Sequence, residues 1–274
     1  MPAPHLYSTY NGGMGFLFRP KELPHPASLT FTLEQAGHTY DDGHVGLAPT
    51  DITISERRVA VIGLNGAGKS TLLGLLDGSL KANAGTVTIA GGEERLDPAV
   101  KKDVKRIDNL VGKVRREEIP NSFYQAANIS EAVSEALKKH KVPESERHAR
   151  IGNLFAHFDL AQVSKAKAGE LDSEKRHLLA IAAALSFEPS AIVADEPSKG
   201  LDEIGTAHVA KALFSYNKQV IFATHDTDMI RRPEYAIDRI LVLDEHAVVF
   251  DGAPAEAVAF YEDLIRRRYE TRAS

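Results

Sequence analysis

The sequence predicts an α/β fold with a mostly parallel core sheet and a helical subdomain inserted into it. Three observations predict it. Short apolar runs bounded by turn residues recur at RVAVIG, AIVAD, VIFATH and RILVLD. Helix-like segments alternate with those runs in the second half of the chain, the order that a parallel sheet with crossover helices requires. From about residue 100 to 175 the pattern is helical instead, within that alternation.

The elements can be justified in order. Residues 1–28 carry five prolines and a Gly-Gly pair with no period, and read as a poorly ordered N-terminal extension. Tyr7, Tyr10, Phe16 and Phe18 make docking on a partner the competing reading. Residues 29–274 read as one domain. LTFTL alternates as a half-buried strand does, and DITI and RVAVIG are two more strands. TLLGLLDGSL is a helix after Ser70, and TVTIAG returns to strand. Residues 93–120 are charged and irregular. Residues 128–140 are helical, with Asn128 and Glu131 at capping-box spacing. Residues 143–160 form a second helix with Ile151, Leu154, Phe155 and Phe158 on one face. Residues 174–187 form a third. AIVAD, a helix, VIFATH, a short helix, RILVLD, AVVFDG and a last helix from Pro254 complete the chain.

Composition narrows the function classes. In 274 residues, 43% are hydrophobic and 26% charged, which is ordinary globular usage and not that of a disordered chain. The net charge of −5 argues against a nucleic-acid partner. The absence of cysteine removes disulfides, thiolate metal sites and thiol catalysis. The longest apolar run, Leu178 to Leu185, falls well short of the roughly 20 residues of a membrane span. No signal peptide is expected, and membrane contact would be made through a partner. The charge runs Lys101-Lys102, Arg115-Arg116 and Arg266 to Arg268 read as solvated faces. Contact of the Arg266 cluster with anionic lipid is the other reading.

Gly63-Leu64-Asn65-Gly66-Ala67-Gly68-Lys69-Ser70-Thr71 follows the strand VAVI and opens a helix. That context is what a phosphate-binding loop needs. Its glycines let backbone N–H groups turn inward as an anion nest, and the helix N-terminus adds its positive dipole end. Lys69 can reach the β- and γ-phosphates of a nucleotide, and Ser70 can offer a hydroxyl to Mg²⁺. AIVAD ends in Asp195 and Glu196. Asp195 can hold Mg²⁺ through water, and Glu196 can polarise the attacking water. Phosphoryl transfer needs little more than such positioning and charge. His225 ends VIFATH, where ligands bind in open α/β sheets, and can sense a γ-phosphate.

These pieces in this order resemble an ATP-binding-cassette (ABC) ATPase over residues 29 to 262. Residues 63–71 match the family's Walker A loop and residues 191–196 its Walker B strand. Ser198 to Asp202 match its D-loop and His225 its switch histidine. The resemblance implies a P-loop NTPase fold with an N-terminal antiparallel β part, ATP and Mg²⁺ as ligands, and hydrolysis to ADP and phosphate. Asn65, Gly66, Ala67, Gly68, Lys69, Ser70 and Thr71 would bind nucleotide. Ser70 and Asp195 would bind the metal, and Glu196, His225 and Lys69 would be catalytic. Tyr40 falls where the family places an aromatic that stacks on adenine; a half-buried strand tyrosine is the other reading. HTYDDG and the ending VVFDGAPAEAVAFYEDLIRR look like the ATPases of energy-coupling-factor importers, which take up vitamins or metal ions such as biotin, cobalt and nickel. Such a subunit would work at the inner face of the cell membrane through transmembrane partners.

The sequence departs from the family at two places. The family's LSGGQ signature aligns with Leu171-Asp172-Ser173-Glu174-Lys175. Two carboxylates there would face a phosphate, at a repulsion on the order of 4 kcal/mol per charge pair at 4 Å and an effective dielectric of 20. Alternatively, Asp172 caps the helix that follows. The family's Q-loop glutamine aligns with Arg116 in one register, favoured because VGKV resembles the strand that precedes that glutamine, and with Gln125 in another. In the family's dimer, each of two ATP sites takes Walker motifs from one subunit and the signature from the other. A homodimer of this chain would then be poor at both sites. A heterodimer with a second ABC ATPase of ordinary signature would have one competent site. The alternative is a nucleotide-binding regulatory half of a heterodimeric importer or exporter.

Overall fold

In the computed structural model, which describes residues 26–115, 119–215 and 217–273, the chain starts with an antiparallel sheet. Strands β1 (Thr30–Thr39) and β2 (Val45–Ile54) form a hairpin, and β4 (Ala84–Gly91) and β5 (Glu94–Leu96) add to it in the order β2-β1-β4-β5. Phe31 and Leu33 of β1 point the same way because strand side chains alternate, and both are fully buried. The extension assigned to residues 1–28 lies almost wholly outside the described residues. Of its described end, Pro26 accepts a 2.7 Å hydrogen bond from Ser190 Oγ.

The second sheet has the order β10-β9-β3-β8-β7-β6. Its members are β3 (Arg58–Gly63), β6 (Val111–Val114), β7 (Ala191–Asp195), β8 (Gln219–Ala223), β9 (Arg239–Asp244) and β10 (Ala247–Gly252). All neighbours pair in parallel except β9 with β10. Every residue of β3, β7 and β8 is buried. That explains why these strands read as unbroken apolar runs.

Alternation along these strands feeds two separate cores. Val59, Val61, Val193, Ile221 and Ala223 face helix α1 (Lys69–Leu76) and the antiparallel sheet. Ala60, Ile62, Ile192, Ala194, Val220 and Phe222 face the other way, toward helical packing. That second layer includes α6 (Ser173–Leu185), α7 (Glu203–Phe214), α8 (Thr227–Arg231) and α9 (Pro254–Ala273).

Residues 93–120, read as irregular, contain β5, α2 (Lys101–Leu110) and β6. Helix α2 is built on Ile107 and Leu110, which are buried among otherwise polar residues. Strand β6 is short, but it completes the core sheet by pairing Val111 with Ala191 and Val114 with Ala194. Both elements lie within the span 100–175 that the sequence assigns to a helical insertion. After β6, the described residues before β7 are helical or turn: α3 (Asn121–Gln125), α4 (Ile129–Lys139), α5 (Glu144–His157) and α6. Asn128 Oδ1 caps α4 by accepting from Glu131 N at 3.0 Å, and Ile151, Leu154, Phe155 and Phe158 are buried together.

Two of the charge runs are not simply solvated. Arg115 Nη2 lies 2.6 Å from Asp77 Oδ2 and donates to Ser79 Oγ at 2.8 Å. Asp77 is fully buried at the C-cap of α1. Burial pushes its carboxyl above the ordinary range, against the pull of Arg115 and Lys113. Arg268 bridges Asp244 and Glu245 at 2.7 and 2.8 Å. Among the described residues, no helix is long and apolar enough to cross a membrane.

Candidate functional site

Parallel pairing places the carboxyl ends of β3, β8 and β7 side by side. Val61 and Asp195 both lie level with Ala223. Backbone bonds join the loops that leave these strands. Thr224 N donates to Val61 O at 3.1 Å, and Glu196 N donates to Ala223 O at 3.0 Å.

The loop after β3 turns into α1 through Gly66 and Gly68, at φ of 83° and 100°. At Gly68 a side chain is excluded twice, because a Cβ would also stand 2.6 Å from Gly46 O. Asn65, Gly66 and Ser70 are exposed, and Ala67, Lys69 and Thr71 are buried. Lys69 Nζ folds back and donates to Gly63 O at 2.7 Å and Leu64 O at 3.2 Å. The same amine lies 3.9 Å from Glu196 Oε1.

Glu196 adopts φ 48°, in the left-handed region, and its side chain is 1% exposed. This conformation turns the carboxylate inward. His225 Nδ1 is 3.7 Å from Glu196 Oε2, and Lys199 Nζ is 3.4 Å from the same oxygen. Asp195, beside it, is buried, and its Oδ1 has no hydrogen-bond partner among the described residues. A hard cation suits such an oxygen. A cavity of about 290 Å³ opens here, lined by Glu196, Lys199, Gly200, Thr224 and His225 among others.

Tyr40 lies just past β1 and is partly exposed. Its hydroxyl is 3.0 Å from Thr71 Oγ1, which ties it to the start of α1. His38 meets its ring edge-on at 4.6 Å between centroids, and His44 lies near-parallel at 6.3 Å. An aromatic face is thus held beside the loop of residues 63–71.

The structure therefore gathers Lys69, Asp195, Glu196 and His225 at one strand edge and Tyr40 at the flank of α1. Gln125 is not in that group: it ends α3, exposed, where α3 packs on α4 and the turn at 168–170. Arg116 lies outside the described residues. In the signature segment, Asp172 is the N-cap of α6, with Oδ1 accepting from Lys175 N at 2.8 Å. That bond, more than the nearby cations, holds its carboxyl below the ordinary range. Glu174 Oε1 lies 2.9 Å from His208 Nδ1 of α7. Both carboxylates are thus engaged within their own chain. Sequence reasoning gave no role to Lys199, although an i, i+3 cation beside an acid was visible.

A protein-family model described as "ABC transporter" matches residues 49–199. A putative ABC transporter ATP-binding protein of Deinococcus radiodurans is 34% identical over 84% of this chain and 96% of its own length. An energy-coupling factor transporter ATP-binding protein of Clostridium perfringens is 29% identical over 86% of this chain and 81% of that protein. Among solved structures, a cassette of Clostridium perfringens described as part of the ABC transporter complex cbiONQ superposes with a TM-score of 0.71. It is 28% identical and covers 86% of this chain and 93% of that one.

Proposed function

The chain belongs to the ABC transporter family, as an ATPase subunit of a transporter, and on that premise we propose that it powers an energy-coupling-factor type importer of a vitamin or metal ion. It works as one half of a heterodimer with a second ABC ATPase. Transmembrane subunits hold it at the inner face of the cell membrane. The likeness to a relative named as an energy-coupling factor ATPase supports the importer class.

One observation carries the chemistry: Lys69 Nζ and His225 Nδ1 stand 3.9 and 3.7 Å from the oxygens of one buried carboxylate, Glu196. A γ-phosphate needs a cation, a polarising base for water and a sensor on one edge, and these three residues supply them. Lys69 binds the β- and γ-phosphates of ATP together with the amides of residues 65–71. Glu196 accepts a hydrogen bond from the attacking water, which raises the nucleophilicity of that oxygen as its proton is drawn away. His225 contacts the γ-phosphate and loses that contact when phosphate leaves. Tyr40 stacks on adenine. Ser70 and Asp195 would hold Mg²⁺, and the partnerless Asp195 Oδ1 fits that donor set. The ion would supply positive charge to the phosphate oxygens.

Asp172 caps α6 and Glu174 meets His208, so neither carboxylate is committed to facing a phosphate. The heterodimer rests instead on the missing signature serine and second glycine, whose places Asp172 and Glu174 take.

The test is ATP hydrolysis by the purified chain alone and after co-purification from its host, with Glu196→Gln as control. Silence alone, and Glu196-dependent hydrolysis beside a second ATPase, is the expected result. Strong cooperative hydrolysis by the chain alone would overturn the heterodimer. A co-purified exporter would overturn the importer.

A further inference from the structure

We infer that Lys199 is a positioning residue for hydrolysis, holding the Glu196 carboxylate after Lys69 has turned to phosphate; this rests on the ATPase reading of the same site. The geometry begins with a backbone turn. Lys199 N donates to Glu196 O at 3.1 Å. That bond brings the lysine side chain back over the glutamate, and Nζ reaches 3.4 Å from Oε2.

The two carboxylate oxygens have different cations. Oε1 faces Lys69, and Oε2 faces Lys199 and His225. The side chain of Glu196 is 1% exposed, so the groups that touch its two oxygens fix where the carboxylate points. Lys69 cannot give its charge to Glu196 and to a triphosphate at once. His225 is likewise assigned to the γ-phosphate. Lys199 is a cation on Oε2 that phosphate does not claim. Its own side chain is 41% exposed at the cavity wall, so it can follow Glu196 as water and phosphate enter.

The role is separable from nucleotide binding. Lys199 acts through Glu196, so its loss should appear in turnover and not in affinity. Lys199→Met keeps the length of the side chain and removes its charge, and Lys199→Arg keeps the charge. Both are measured in the co-purified complex beside the unaltered complex and Glu196→Gln. Lys199→Met should lower kcat roughly tenfold, as expected for removing a half-exposed cation that stands 3.4 Å from the buried carboxylate. KM for ATP should stay within about twofold, because ground-state binding is untouched. Lys199→Arg should restore most of the turnover, and Lys199→Met should remain folded at the assay temperature, as its thermal midpoint will show. Unaltered kcat in Lys199→Met, or a loss carried by KM alone, would overturn the role of Lys199 and leave the ATPase reading standing. Hydrolysis that persists in Glu196→Gln would overturn both.

Discussion

A methyl group on Gly68 would lie 2.6 Å from the Gly46 carbonyl oxygen, in a residue already held at φ 100°. Gly68→Ala should therefore lower stability by about 1–3 kcal/mol, from strain in the left-handed region alone. It should also distort the start of α1 and weaken nucleotide binding, measured by titration with a fluorescent ATP analogue. Asp77 sets a second residue-scale test. Its partner Arg115 is only partly exposed, and Asp77 is fully buried. Arg115→Met leaves the carboxylate without that cation and should cost about 2 kcal/mol at pH 8, less than for a fully buried pair because Arg115 retains water contact. The folded-state pKa of Asp77 is raised, so its ionisation opposes folding. Its contribution is fully present below the unfolded value and is lost as pH rises through the folded one. The deficit of Arg115→Met should accordingly shrink as pH falls from 8 toward 5 in denaturant titrations. Asp77 was visible as an acid within the apolar TLLGLLDG. Its partner lies just past β6, 38 residues on, and no local pattern links the two.

Helix α6 shows how one cap can settle an ambiguous motif. Asp172 accepts from Lys175 N, and its carboxyl is held below the ordinary range by that bond. Asp172→Ala should destabilise the protein by about 1 kcal/mol, whereas Asp172→Asn, still an acceptor, should lose only a few tenths. A depressed folded pKa contributes stability above the unfolded value and loses it as pH falls through the folded one. The gap between Asp172→Asn and the unaltered protein should thus narrow on acidification below about pH 4. The same helix was legible because an apolar run of leucines and alanines follows a capping acid. Helix α2 was not. It has one narrow apolar seam through Ile107 and Leu110 in a lysine-rich stretch, and it packs on β5 and β6, its neighbours in the chain. The four residues of β6 are too short to show a period; VGKV was readable as a strand only through its resemblance to the family, and the ladder with β7 bears that out.

For the whole molecule, the site is a seam between strands that are far apart in sequence. ATP with Mg²⁺ at 100 times its Kd should stabilise the fold by about 2.7 kcal/mol and raise the thermal midpoint by a few degrees. Lys69→Ala should abolish that shift in differential scanning fluorimetry. That the loop 63–71, the Asp195-Glu196 pair and His225 come together was legible, because each follows an apolar strand of one parallel sheet. The triangle that Lys69, Lys199 and His225 make around Glu196 was not, because it depends on the left-handed backbone at Glu196. The order of assembly is also written into the sheet. Val59 of β3 finds its neighbours Ile221 and Arg239 only about 160 and 180 residues downstream. On a ribosome adding roughly 5–20 residues per second, the strand that carries the phosphate loop waits on the order of ten seconds or more for either neighbour. Through that interval its hydrogen-bonding edges stand open, as does the face of Ala60 and Ile62 that later helices cover, and the nascent chain depends on whatever holds them apart from other chains until β8 and β9 emerge.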